Sequence, residues 1–132
     1  MGILHVKVIK ATHLKDKDGI GKSDPYVKLE LEQDNVFKDK DYGFQKTSTI
    51  EGNVNPVWNE DFTFNIPTLD NMVLTLRVYD HDVMSRDDKE GHCKINLEKE
   101  GISRSPKRIV KCIDRNLLRS NAEIFVEIYY TA

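Results

Sequence analysis

The sequence predicts an all-β fold, an eight-stranded antiparallel β-sandwich formed by a single domain over residues 1–132. Apolar and polar residues alternate with a period of two in several short segments, as they do in strands that bury one face. Clusters of Gly, Pro, Asn and Asp separate these segments and are typical of tight turns. A chain of 132 residues is large enough for one hydrophobic core, and no long helical stripe competes with the alternation.

Six segments show the alternation clearly, with apolar residues two positions apart. In chain order, these residues are Leu4, Val6 and Val8; Val27, Leu29 and Leu31; Phe62, Phe64 and Ile66; Leu74, Leu76 and Val78; Cys93, Ile95 and Leu97; and Ile124, Val126, Ile128 and Tyr130. Two weaker segments, at residues 44–49 and 107–112, complete the eight predicted strands. Eight short strands separated by turns are typical of an antiparallel sandwich.

The composition excludes several classes of protein. The 20 Lys and Arg residues against 22 Asp and Glu residues leave a net charge of −2, which argues against nucleic-acid binding. No apolar run approaches the ~18 residues that span a bilayer, and the start lacks a signal-peptide pattern, so we expect a cytoplasmic chain. Cys93 and Cys112 lack CxxC spacing, and we expect two reduced thiols in or near the core. Because no nucleophile elbow or phosphate-binding glycine loop is present, we expect no enzymatic activity.

Three loops are expected to meet at one end of the sandwich. If successive strands run in opposite directions, the loops at residues 11–24, 50–59 and 80–90 all emerge at that end. The first and third loops are rich in Asp, although Asp also favours turns for structural reasons. Two carboxylates ~4 Å apart repel each other by ~4 kcal/mol at an effective dielectric constant of 20, and a bound cation would remove this repulsion.

The ligand chemistry of these loops favours calcium. Carboxylate and carbonyl oxygens without a converging Cys or His favour Ca²⁺ over zinc or copper, and the number of carboxylates favours it over magnesium. An EF-hand that starts at Asp16 is excluded, because Ile20 and Val27 occupy its fifth and twelfth positions. A magnesium-dependent hydrolase is an alternative interpretation of clustered Asp, and turnover of a phosphoester would identify it.

Three motifs point to a known family: Gly-Lys-Ser-Asp-Pro-Tyr-Val at 21–27, Asn-Pro-Val-Trp-Asn-Glu-Asp-Phe-Thr-Phe at 55–64 and Val-Tyr-Asp-His-Asp at 78–82. With these motifs the chain resembles the C2 domains, which are calcium-dependent membrane-binding β-sandwiches. The resemblance spans nearly the whole chain. Because the first strand leads directly into the Asp-Pro-Tyr loop, the strand order resembles the circularly permuted topology called type II.

The resemblance implies a set of calcium ligands. The five carboxylates that bind calcium in the family correspond to Asp18, Asp24, Asp80, Asp82 and Asp88. Together they would hold two or three Ca²⁺ ions. Further candidate ligands are Asp16, Lys17, His81 through its carbonyl, Ser85 and Asp87. Lys89 and Glu90 depart from the family pattern, which usually has two apolar residues after the last Asp.

The resemblance also implies calcium-dependent binding to anionic phospholipid membranes, in membrane targeting or calcium sensing. Bound calcium would reverse the charge of the acidic loops and let lipid oxygens complete its coordination. Ile20 in the first loop and Val83 and Met84 in the third are the expected membrane contacts, because each stands at a loop tip. The alternative for these three side chains is inward packing beneath the loops.

These inferences describe a monomeric, cytoplasmic protein that joins membranes peripherally when calcium is bound. The alternative is a calcium-independent interaction module of the same fold, whose partner would be another protein. Calcium titration separates the two, since only the first requires binding in the micromolar to millimolar range.

Overall fold

The computed structural model describes residues 2–14, 23–84, 86–113 and 121–132. These residues form eight strands and no helix. The strands are β1 (Gly2–Thr12), β2 (Pro25–Gln33), β3 (Lys40–Lys46), β4 (Val57–Ile66), β5 (Met72–Asp80), β6 (Asp88–Asn96), β7 (Lys107–Cys112) and β8 (Glu123–Thr131). The all-β prediction is therefore confirmed.

The strands form two four-stranded sheets, in the orders β4-β1-β8-β7 and β3-β2-β5-β6, and every pair is antiparallel. Each sheet turns its alternating apolar face toward the other, so one core lies between them. The predicted inward residues are buried, except Phe62 and Tyr130, which are partly buried and pack against the core.

Strand β3 is displaced from its predicted position at residues 44–49, because it runs from Lys40 to Lys46. The backbone of Ser48 is paired with side chains instead of a neighbouring strand: its carbonyl accepts a hydrogen bond from the Trp58 indole, and its N–H donates to Glu60. Within β3, Gly43 has a φ of 92° and lies beside a shift in the β2–β3 register. Such a bulge interrupts the alternation on which the prediction depended.

The predicted convergence of the three loops is observed. The N–H of Leu14 donates to the carbonyl of Val54 at 2.9 Å, which joins the first loop to the second. The N–H of His81 donates to the carbonyl of Asp24 at 2.9 Å, which joins the third loop to the first. These bonds fix the loop ends relative to the sheets.

The cysteines differ in their surroundings. Cys93 is buried as predicted, but Cys112 is exposed, so the expectation of a near-core thiol is wrong there. Strand β7 is a sheet edge that turns Ile109 inward and Val110 outward, and Cys112 follows on the outward side. No helix within the described residues is long and apolar enough to cross a membrane.

Candidate metal centre

The structure describes four of the five carboxylates that the resemblance implies as calcium ligands: Asp24, Asp80, Asp82 and Asp88. The remaining predicted residues of the acidic loops, namely Asp16, Lys17, Asp18, Ile20 and Ser85, lie outside the described residues. The geometry of the site is therefore given by the start of β2, the end of β5 and the third loop.

Asp24 and Asp80 are joined at the paired ends of β2 and β5. Their proximity follows from the register, since Pro25 lies opposite Asp80. The N–H of Asp24 donates to Oδ1 of Asp80 at 2.9 Å, and Oδ1 of Asp24 accepts from the N–H of Gly52 at 2.7 Å. Asp80 is only 9% exposed, so its carboxylate is largely removed from water. All three converging loops therefore contribute to the surroundings of this pair.

Asp88 lies opposite Asp80 in the β5–β6 register, which brings a third predicted ligand to the same sheet end. A bulge precedes this pair, because Val78 is opposite Gly91 whereas Tyr79 is opposite Lys89. The extra residue is Glu90, which is buried at 5% exposure and accepts a hydrogen bond from the hydroxyl of Ser23 at 3.3 Å. The hydroxyl of Ser23 thus gives the buried carboxylate of Glu90 a polar partner.

Asp82 and Asp87 are connected within the third loop. Oδ1 of Asp87 accepts from the N–H of Asp82 at 2.9 Å and lies 3.1 Å from Nδ1 of His81. Oδ1 of Asp82 accepts from the N–H of Met84 at 2.8 Å. These hydrogen bonds join Asp82, a predicted calcium ligand, to Asp87, which precedes the predicted ligand Asp88 in the chain.

Asp87 is also bonded to the sheet. The hydroxyl of Tyr26 donates to Oδ2 of Asp87 at 2.6 Å. This hydrogen bond, together with the one from the N–H of Asp82, lowers the pKa of Asp87 below its usual value. Burial, reinforced by the hydrogen bond to Asp87, raises the pKa of Tyr26. The phenol therefore stays neutral and remains a donor to the carboxylate.

The donor set fits calcium in its chemistry, since carboxylate oxygens and loop carbonyls are hard ligands. In the described side-chain positions, however, the predicted ligands do not form a group of three oxygens within 4.8 Å of one another. Several of their oxygens are instead turned toward the backbone N–H groups of Asp24, Gly52 and Met84. The backbone brings the predicted ligands to one end, whereas their side chains pair with nearby donors.

A different group of three acidic residues meets this distance criterion, and the sequence analysis did not predict it. Glu32, Asp34 and Asp39 place one carboxylate oxygen each within 4.8 Å of the others. This group lies where β2 ends at Gln33, roughly 26 Å along the strand from Pro25. Oδ1 of Asp39 accepts from the N–H of Asn35 at 3.2 Å, so part of this group closes the β2–β3 turn. The presence of three acidic residues close to one short turn is the sequence feature that could have predicted this group.

The apolar residues at the tip of the third loop point into solvent. Val83 is 84% exposed and Met84 is 88% exposed, so the alternative of inward packing is wrong for both. Trp58, by contrast, is 7% exposed and donates its indole N–H to the carbonyl of Ser48 at 2.9 Å. Trp58 therefore anchors the second loop and leaves the loop surface to other residues.

Comparison with known proteins gives consistent matches over most of the chain. The model of the C2 domain matches residues 2–112. The chain is 42% identical over 98 residues to Protein C2-DOMAIN ABA-RELATED 3 of Arabidopsis thaliana, covering 74% of this chain and 52% of that protein. It is 39% identical over 119 residues to the Calcium-dependent lipid-binding protein of Arabidopsis thaliana, covering 90% of this chain and 21% of that protein. The chain thus spans about half the length of the first relative and about a fifth of the second.

A solved structure shows the same architecture. A C2 domain of plant Extended Synaptotagmin 1 is 32% identical and superimposes with a TM-score of 0.85, over 98% of this chain and 94% of that one. The match therefore extends over nearly the whole length of both chains.

Proposed function

Because the chain belongs to the C2 domain family, we propose that it binds anionic phospholipid membranes in response to calcium. The observation that carries the proposal is the register at one sheet end, where Asp24 precedes Pro25 and both Pro25 and Asp88 lie opposite Asp80. Val83 and Met84 are exposed in the loop that follows Asp80. Carboxylates beside exposed apolar side chains suit a surface that meets both a cation and a lipid interface.

The relatives support this proposal. One of them is named as a calcium-dependent lipid-binding protein, and others are synaptotagmins of plants and mammals. C2 domains typically bind Ca²⁺. In this proposal Asp24, Asp80, Asp82 and Asp88 would hold the ion, with Asp18 as a fifth carboxylate.

The electrostatic contribution of these residues follows from their position. A group of carboxylates at the end of the sandwich repels an anionic membrane. Bound calcium would supply positive charge and free coordination positions for phosphate or carboxylate oxygens of lipids. Because Asp80 is largely shielded from water, its interaction with a cation is stronger than that of a fully solvated carboxylate.

The apolar tip would add to the binding energy. Each buried CH₂ group contributes ~0.8 kcal/mol, so partial insertion of Val83 and Met84 would stabilise the membrane-bound state by an amount comparable to several ion contacts. On this proposal the domain is a non-enzymatic, monomeric module that is cytoplasmic and peripheral at membranes when calcium is bound.

Liposome co-sedimentation tests the proposal directly. Vesicles of phosphatidylcholine with and without phosphatidylserine would be mixed with the protein in calcium or in a chelator. We expect sedimentation only with calcium and phosphatidylserine, and its loss in the variant Asp24→Asn. Asp61→Asn is the matched control, since Asp61 is exposed on β4 away from the loops.

The same experiment identifies the alternatives. Equal sedimentation with calcium and with chelator would contradict the proposed calcium dependence. Absence of any vesicle binding, together with a flat calcium titration, would favour a calcium-independent module that binds a protein partner.

A further inference from the structure

Both carboxylate oxygens of Asp87 accept hydrogen bonds from groups of the protein. Oδ1 accepts from the N–H of Asp82 at 2.9 Å and is 3.1 Å from Nδ1 of His81. Oδ2 accepts from the hydroxyl of Tyr26 at 2.6 Å. A carboxylate has about four acceptor positions, and three of them face protein groups here. Asp87 therefore joins the third loop to β2.

Tyr26 presents its hydroxyl from a rigid part of the fold. Tyr26 lies opposite Tyr79 in the β2–β5 register, and their rings stack with centroids 5.4 Å apart and planes 19° from parallel. The ammonium group of Lys46 lies 5.8 Å from the Tyr26 ring centroid. The phenol is thereby held between a neighbouring strand and a cation, and its hydroxyl is a fixed point for the loop.

The bonds of Asp87 bear on two predicted calcium ligands. The N–H that it accepts belongs to Asp82, and the next residue in the chain is Asp88. The bond to the N–H of Asp82 joins Asp87 to one predicted ligand, and the bond from Tyr26 attaches Asp87 to β2. A loop that is already ordered loses less conformational entropy on binding, and its affinity is higher for that reason.

We propose that Asp87 is a positioning residue and not a calcium ligand, and that the Tyr26 hydroxyl acts through it to hold Asp82 and Asp88 in place for calcium. This inference rests on the proposed function. It makes calcium affinity depend on a phenol whose ring lies on the sheet and not in an acidic loop.

The two assignments of Asp87, ligand or positioning residue, differ in the effect of removing its charge. A carboxylate oxygen can bind an ion and accept a hydrogen bond at the same time, so Tyr26→Phe weakens binding under either assignment. If Asp87 were a ligand, Asp87→Asn would weaken calcium binding about as much as Asp87→Ala does. If Asp87 positions the loop, Asp87→Asn keeps most of the affinity.

The test is calcium titration by isothermal calorimetry on the wild type, Tyr26→Phe and Tyr79→Phe. Tyr79→Phe is the matched control, because it removes a hydroxyl from the other ring of the same stacked pair. We expect roughly 3- to 10-fold weaker binding in Tyr26→Phe, which is the net size of one ordinary hydrogen bond, with an unchanged number of ions. Tyr79→Phe should bind as the wild type does.

Conservative replacement of Asp87 provides a second readout. In Asp87→Asn the amide oxygen still accepts from the N–H of Asp82, and the amide nitrogen can donate to the Tyr26 oxygen. We therefore expect Asp87→Asn to retain most of the affinity that Asp87→Ala loses. In the double variant Tyr26→Phe/Asp87→Ala, binding should be no weaker than in Asp87→Ala alone, because the hydroxyl acts only through Asp87.

The outcomes separate the inference from the proposed function. If the calorimetric titration of the wild-type protein shows no heat of calcium binding, both the proposed function and this inference are wrong. Calcium binding that is unchanged or tighter in Tyr26→Phe, or a lower ion number in Asp87→Asn, overturns the inference alone. Thermal melts of the calcium-free variants check that each is folded, and the comparison of Asp87→Asn with Asp87→Ala stands even if Tyr26→Phe unfolds.

Discussion

The backbone N–H of Asp24 donates a hydrogen bond to Oδ1 of Asp80 at 2.9 Å, although 56 positions separate the two residues in the chain. The bond connects the start of β2 to the end of β5, where the sheet register already sets the two backbones side by side. Because a backbone group makes it, the bond positions the Asp80 carboxylate without using any side chain of the first loop. One of the expected metal ligands is thus fixed by the fold itself.

Asp80→Asn is expected to weaken calcium binding at least about 10-fold while leaving the fold intact. The amide oxygen can still accept from the N–H of Asp24, so the local structure survives, but the ligand loses its charge. Calorimetric titration measures the affinity, and the melting temperature in chelator checks the fold. Asp61→Asn, which alters an exposed carboxylate on β4, should match the wild type in both. Unaltered affinity in Asp80→Asn would remove Asp80 from the ligand set.

Saturating calcium is expected to raise the melting temperature. An ion that binds only the folded state stabilises it by ~2.7 kcal/mol at one hundred times its dissociation constant, which is on the order of 10 °C for a domain of this size. Differential scanning calorimetry in calcium, magnesium and chelator measures the effect. An equal rise of the melting temperature in calcium and in magnesium would contradict a site whose ligand number and geometry select calcium.

The fold was largely predictable from the sequence because burial in a two-sheet sandwich imposes a period of two on each strand. Leu29 and Leu76, from neighbouring strands of one sheet, are both fully buried as their alternation indicated. The prediction failed where backbone irregularity breaks the period, as at Gly43 in β3. A bulge shifts every later side chain to the opposite face, and alternation alone does not reveal it.

The site was less predictable than the fold. Strand parity was sufficient to bring Asp24 to the same end as Asp80, because it depends only on the number of strands. The hydrogen bond from Tyr26 to Asp87 joins residues 61 positions apart. It depends on the direction of two side chains at the end of the sheet, and the sequence motifs do not specify that direction. The acidic group around Asp34 was not predicted for another reason, since the calcium ligands that the family pattern contains lie at the opposite end of the sandwich.

Replacing both exposed tip residues, in Val83→Ser/Met84→Ser, is expected to weaken membrane binding roughly 10-fold or more without changing calcium affinity in solution. The substitutions remove apolar surface that enters the lipid interface and leave the carboxylates in place. Val36→Ser/Phe37→Ser is the matched control, because these residues are 94% and 99% exposed at the opposite end of the sandwich. Vesicle titration at saturating calcium measures both. A similar loss in the two double variants would mean that general surface hydrophobicity, and not the third loop, drives the binding.

Trp58→Phe is expected to destabilise the domain by about 1–3 kcal/mol, with little effect on calcium affinity. The substitution removes the indole N–H that donates to the carbonyl of Ser48 and leaves that carbonyl without this donor beneath the second loop. Because Trp58 is buried beneath the loop, its replacement should leave the predicted calcium ligands unaffected. Urea denaturation in chelator gives the stability, and calorimetric titration gives the affinity. A large drop in affinity with unchanged stability would assign Trp58 a direct part in the binding surface, because loss of an anchor must appear first in the free energy of unfolding.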